Sequence, residues 1–265
     1  MIAGVLAALA LASASAAPHV VSISPAARSI PANTLRLYVI FDKPARGVVA
    51  TRDVRLVDAE GRAVEGAFMD FGQDLWSPDG RRLTVLFDPG RVKQDVEGRG
   101  DSAAPLQVGH SFIVEVRGKR FEYQVTPALR TPIDPQAWRL NVPSAGSRRA
   151  LSVTFDRELD GALLRDQLEI VDVHGRSQSG QVTASADGEA WSWRPDHPWR
   201  AGAYRLLVGD RLEDVSGNRV GEALDHEVGA PDRPPESLAV PFTVERRLGP
   251  SASGHRPGRP VDGKF

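Results

Sequence analysis

The chain contains no cysteine. That one absence excludes disulfides, thiolate metal sites, cysteine nucleophiles and lipid attachment at a cysteine, so stability must rest on apolar burial and strand pairing. Methionine is nearly missing too: Met1 and Met69 are the only two, and the Met-rich loop of a soft Cu(I) site is absent. An excess of either charge is also lacking. The 33 basic side chains are matched by 34 acidic ones, for a net charge of -1. A surface so balanced gives no sign of nucleic acid or of any polyanionic partner. No G-x-S-x-G, P-loop or dinucleotide-binding motif occurs, and no histidine neighbours a plausible serine nucleophile in sequence. Long amphipathic helices are not legible either.

What is present is turn chemistry and alternation. There are 25 glycines and 20 prolines in 265 residues, enough chain for two cores. Apolar residues recur at every second position: Leu35, Leu37, Val39, Phe41; Leu83, Val85, Phe87; Phe112, Val114, Val116; Phe121, Tyr123, Val125. This period lines one face of a sheet. Breakers lie between the runs, and Gly118-Lys119 predicts a hairpin. The segment from Leu37 to Gly66 aligns without a gap with Leu151 to Gly180, and ten of the 30 positions are identical. The chain therefore reads as one module used twice. The expected architecture is all-β: two tandem antiparallel Ig-like β-sandwiches.

The predicted boundaries follow from composition. Residues 1–16 read as a signal peptide, an apolar run from Ile2 to Ala12 with the small-x-small site Ala14-Ser15-Ala16. Sandwich 1 spans 19–125 and sandwich 2 spans 137–244. Residues 126–136, with Pro127, Pro132 and Pro135, read as a semi-stiff linker. Residues 245–265 have no apolar period and are expected to be disordered. Helical turns are expected near Arg91 to Val96 and from Asp160, as cap, through Leu164. The Pro89 to Gly109 loop contains Arg99-Gly100-Asp101, an integrin-type tripeptide read here as part of a solvated loop.

The second repeat carries V-x-F-D at Val153 to Asp156 and V-x-D-x-x-G-R at Val171 to Arg176. It continues with Asp187-Gly188, P-x-x-P-W-x-A-G-x-Y-x-L-x-V at Pro195 to Val208, and D-V-S-G-N at Asp214 to Asn218. This pattern resembles bacterial Ig-like domains of the S-layer SbsA type. The resemblance implies spacers and adhesion or binding modules of exported bacterial proteins. The first repeat follows the pattern through its opening half, then departs at the long loop.

Each candidate for chemistry has a structural reading beside it. His19 opens a segment similar to exported copper carriers of the CopC type. However, Pro18 lacks the amide hydrogen that an N-terminal square-planar copper site deprotonates, so His19 reads as an exposed histidine. No two of the six histidines fall at metal-ligand spacing. Asp210, Glu213, Asp214 and Asn218 surround Ser216-Gly217 and offer oxygens to calcium, but a tight turn needs the same residues. Of the five tryptophans, Trp191 and Trp193 fall on a core face, as potential sugar platforms would not. Trp76 and Trp199 are the candidates for exposure, and Trp199 is also suited to capping the sandwich end. Asp42 with Asp58, and Asp156 with Asp172, recur in both repeats and read as turn caps rather than catalytic pairs.

The reading is a non-catalytic structural or protein-binding module, periplasmic or extracellular. It has no cofactor, no metal and no catalytic residue. Its partner is an envelope protein or cell-surface polymer, not nucleic acid, and it is not an integral membrane protein after signal cleavage. The alternative is a CopC-like metal carrier or a carbohydrate-binding accessory.

Overall fold

A computed structural model describes residues 17–92, 104–185, 187–224 and 238–246. The expected signal segment, the Arg99-Gly100-Asp101 tripeptide and most of the expected disordered tail lie outside the described residues.

Eight strands build the first sandwich: β1 (Val20–Ser24), β2 (Ser29–Pro31), β3 (Arg36–Phe41), β4 (Val54–Asp58), β5 (Leu75–Trp76), β6 (Arg82–Leu86), β7 (Ser111–Val116) and β8 (Lys119–Thr126). One sheet runs β1-β3-β6-β5 and the other β2-β8-β7-β4. All pairings are antiparallel except β2 with β8. The alternation seen in sequence faces inward as expected. Leu37, Val39, Leu83, Val85 and Phe87 meet Val54, Leu56, Val114, Val116 and Tyr123 in one core.

The second sandwich has seven strands: β9 (Arg139–Asn141), β10 (Leu151–Thr154), β11 (Leu168–Asp172), β12 (Gly180–Ala184), β13 (Ala190–Pro195), β14 (Gly202–Val208) and β15 (Ala239–Val244). Its sheets run β12-β13-β10-β9 and β11-β14-β15. Its core is richer in aromatics, with Trp138, Trp191, Trp193, Trp199, Tyr204 and Phe242.

The registers correspond strand for strand. Val39 faces Leu83 and Leu37 faces Val85. In the other sandwich Val153 faces Trp191 and Leu151 faces Trp193. Phe41 donates its N–H to the Arg81 carbonyl at 2.9 Å, and Phe155 donates to Glu189 at 2.9 Å. Both rings are buried, and each meets a tryptophan: Trp76 at 5.7 Å and Trp138 at 4.8 Å between centroids.

The sandwiches differ in their loops. β7 and β8 are joined by a two-residue hairpin at Arg117-Gly118, both at positive φ, one residue before the Gly118-Lys119 turn expected from sequence. Between β14 and β15 the second sandwich instead carries a long excursion that begins at Gly209. The three-residue parallel β2 pairing shrinks there to one bond, from Ala145 N–H to the Glu245 carbonyl at 2.8 Å. A helical turn forms at Pro89–Val92 and overlaps the start of the expected Arg91 to Val96 segment, of which residues 93–96 lie outside the described residues. Asp160 caps a turn as expected, accepting from the Ala162 N–H at 2.9 Å.

Candidate functional site

One turn occurs three times. In Asp58-Ala59-Glu60-Gly61-Arg62, the aspartate Oδ1 accepts the N–H groups two and four residues on, at 3.1 and 2.8 Å. In Asp172-Val173-His174-Gly175-Arg176 the same bonds measure 2.9 and 3.0 Å. In Asp214-Val215-Ser216-Gly217-Asn218 they measure 2.9 and 3.0 Å. Each glycine sits at φ between +76° and +81°, where a β-carbon is disfavoured. The first two turns are solvent-facing, and their fifth residue is an arginine bonded to the aspartate Oδ2. The third is buried. There Asn218 Nδ2 takes the arginine's place on Oδ2, at 2.9 Å. A neutral amide fits where a desolvated guanidinium would be costly.

This third turn enters a junction between the two sandwiches. The Val215 carbonyl accepts the Leu35 N–H at 2.9 Å. Ser216 Oγ donates to Asn33 Oδ1 at 3.0 Å. Gly217 lies so close to Leu35 that a β-carbon would come within 2.9 Å of its Cδ2. The residues between the sandwiches are held from both sides. The Leu129 carbonyl accepts from Asn33 Nδ2 at 2.9 Å and from Asn218 Nδ2 at 3.0 Å. The Leu129 N–H returns to Asn33 Oδ1 at 2.9 Å. Ile133 is buried, and its N–H meets the Arg219 carbonyl at 2.9 Å. Arg157 reaches the Thr131 carbonyl at 2.8 Å and Asp214 Oδ2 at 3.3 Å.

A second cluster flanks the turn. Tyr38 Oη donates to Asp160 Oδ2 at 2.5 Å, and Arg36 Nη1 stands 3.3 Å from the same oxygen. The other Arg36 amino group bonds Glu213, which also holds Arg219. Burial, reinforced by Asp160, pushes the Tyr38 phenol above its ordinary range. Burial likewise raises Asp214, against the lowering pull of its bonds from Asn218 and Ser216 and of Arg157. The buried polar side chains of the described residues are Asn33, Thr34, Glu158, Asp160, Asp214, Ser216 and Asn218. Every one lies at this junction. Apolar residues fill the cores on either side, and the polar chemistry is concentrated where the sandwiches meet.

The residues singled out from sequence fall as follows. Glu213, Asp214 and Asn218 come together, but both Asp214 oxygens already accept N–H donors. Asp210 stands apart and exposed. Among the described residues, no three His, Cys, Asp or Glu side chains are placed to hold a metal ion. His19 donates its N–H to Asp42 Oδ1 at 2.8 Å, and its Nδ1 lies 3.3 Å from Oδ2. Asp58 and Asp172 are turn caps, as read. Asp42 is engaged by His19 and Asp156 by Arg157. Trp191 and Trp193 are buried, as expected, and Trp76 is half-buried. Trp199 corrects the expectation of exposure: it is 4% exposed. Its ring packs against Trp193, Tyr204 and Phe242, and its Nε1 donates to the Arg149 carbonyl at 2.9 Å. A half-open depression of about 480 Å³ lies over residues 50–74. Its wall includes Arg55, Phe68, Phe71 and Asp74, and no histidine.

No sequence pattern announces the junction. The available signal was the third D-x-x-G turn with asparagine where the other two carry arginine. Among the described residues, no helix is long and apolar enough to cross a membrane.

No protein-family model matches this chain, and no curated protein matches it. Solved structures similar to it include the N-terminal part of the bacterial S-layer protein SbsC, at 15% identity and a TM-score of 0.29. That likeness covers 41% of this chain and 24% of that one. The titin domains z1z2 in complex with telethonin are similar at 11% identity, over 87% of this chain and 95% of theirs, with a TM-score of 0.23. Tandem Ig repeats of Dlar are similar at 10% identity, over 72% and 89%, with a TM-score of 0.24.

Proposed function

We propose that the chain is a non-catalytic structural or protein-binding module of the bacterial envelope, exported and built from two copies of an SbsA-type Ig-like unit joined through a polar junction. The observation that carries this reading is the use of the buried polar side chains. Asn33, Glu158, Asp160, Ser216 and Asn218 each bond across the junction or to the segment between the sandwiches, to Ser216 and Leu129, Ala26, Tyr38, Asn33 and Leu129 respectively. Polar groups arranged this way fix an orientation. While the junction is seated, such an orientation suits a spacer that presents its outer faces at a set angle. The residues available to the copper or sugar alternative are engaged elsewhere: His19 with Asp42, Trp199 within the core.

The test is photo-cross-linking in intact cells, with the reactive group placed on exposed faces such as Val173 or Val48. Specific adducts to an envelope protein or surface polymer are the expected result. Turnover of an ester, peptide or glycoside substrate, lost on a single polar substitution, would overturn the reading.

A further inference from the structure

One buried carboxyl crosses the junction without a cation. Glu158 follows β10 and reaches the Ser24–Ala27 loop of the other sandwich, at 9% exposure. Its Oε1 accepts the Ala26 N–H at 3.1 Å and lies 3.5 Å from Ser24 Oγ. Asp160 and Glu213 nearby are both paired with Arg36, whereas among the described residues Glu158 has no ion-pair partner. The groups that face it offer no positive charge. From β8 comes the Tyr123 phenol, which donates to the Pro25 carbonyl at 2.7 Å. From the turn between β12 and β13 come the carboxylates of Asp187 and Glu189. Gly188 of that turn packs so tightly that a β-carbon would stand 3.1 Å from Glu158 Cγ. The neighbouring cation on its own segment, Arg157, is turned away to Thr131 and Asp214. The Ser24–Ala27 loop contributes no titratable side chain.

We infer that this junction is a proton-operated latch, seated while Glu158 is protonated and loosened when it ionises, so that the sandwiches pivot about residues 127–136. Burial first, then the two neighbouring carboxylates, push the Glu158 carboxyl up to about 7 from an ordinary 4.5, against the lowering effect of the Ala26 and Ala27 amides. A seated junction thus binds the proton more tightly than a parted one. Its advantage is full below about pH 4.5 and is lost as the pH rises through about 7. The difference between those values sets an upper limit of roughly 300-fold on the change in the seated-to-parted ratio, and solvent reaching the carboxyl reduces it to tens.

Because the chain has no cysteine, two introduced ones are unique labelling sites. Spin labels at Glu60→Cys and His174→Cys, both exposed and on different sandwiches, report the distance between them. In the full chain the distance distribution should be narrow at pH 5 and broad or shifted at pH 8, with a midpoint near 7. Glu158→Gln should keep it narrow at both. Glu189→Gln, an exposed change that spares the fold, should move the midpoint to lower pH. A distribution invariant from pH 5 to 8, a full transition in Glu158→Gln, or an unmoved midpoint in Glu189→Gln would overturn the proposal.

Discussion

Asp172→Ala and Asp214→Ala remove the same side chain from the same turn in two environments. In each, the aspartate Oδ1 collects two backbone N–H groups and Oδ2 takes a side-chain donor from the fifth residue. At Asp172 the freed N–H groups can turn to water, so the loss is small. At Asp214, which is 0% exposed, water has no access. The Ser216 and Asn218 backbone N–H groups and the Asn218 side-chain donor not held by Leu129 would each lack an acceptor, at about 1–3 kcal/mol apiece. Removing a carboxyl whose charged form is itself penalised by burial returns part of that. The net expectation is a loss of about 3–5 kcal/mol, or a fall in Tm of roughly 10–20 °C.

The two sites should also respond to pH with opposite signs. Asp172 is held below its ordinary 3.8 chiefly by the Arg176 N–H, so its contribution is present at neutral pH and disappears as the pH falls below that range. Asp214 is raised, so its contribution is greatest below 3.8 and declines as the pH climbs through its higher value. Urea unfolding of the wild type and both variants at pH 3.5, 5 and 7 measures this. Equal losses for the two variants at pH 7 would refute the claim that burial of the third turn sets its worth.

Three further substitutions probe packing and turn geometry. Gly180→Ala should cost about 1–3 kcal/mol, because the new methyl would sit 2.4 Å from the Trp193 ring and 2.5 Å from the Arg194 carbonyl; an unchanged urea midpoint would contradict that contact. Arg117→Asn should stabilise by about 0.5–1 kcal/mol, since Arg117 is held at φ 50° in a turn asparagine tolerates better; a lower Tm would refute it. Trp191 is nearly fully buried, with an indole N–H that has no partner. Trp191→Phe should therefore cost less than about 2 kcal/mol, against about 3–5 for Trp191→Ala, and equal losses would show that the lone N–H carries no penalty.

The sandwiches were legible because strand alternation is local. Leu37, Val39 and Phe41 point inward for reasons contained in six residues, and pairing β3 with β6 needs only the next such run. Asp187-Gly188 corresponds to Asp79-Gly80, since both turns use the same serine and aspartate bonds, from Ser77 to Asp79 and from Ser185 to Asp187, and Trp191 and Trp193 then stand where Leu83 and Val85 do. Trp199 offers no such local signal: Pro198 and Arg200 beside it describe the loop, while its burial depends on Tyr204 and Phe242.

The junction was illegible for a different reason. Ser216 and Asn33 are 183 residues apart, and neither carries a pattern that names the other. D-V-S-G-N specifies a turn whether water or protein surrounds it, so the motif fixes the backbone and leaves the environment open. The fifth residue tracks the environment: arginine where the turn meets solvent, asparagine where it meets Leu129. That difference follows from the cost of burying a guanidinium, and it works in reverse as well. Asn218→Arg in this turn would keep the backbone bonds, yet the added bulk and charge would fall on the Leu129 carbonyl and Asn33. The second sandwich should then fold while the two cease to seat, a separation of local folding from assembly that the same spin-label pair would report as a broad distribution at every pH.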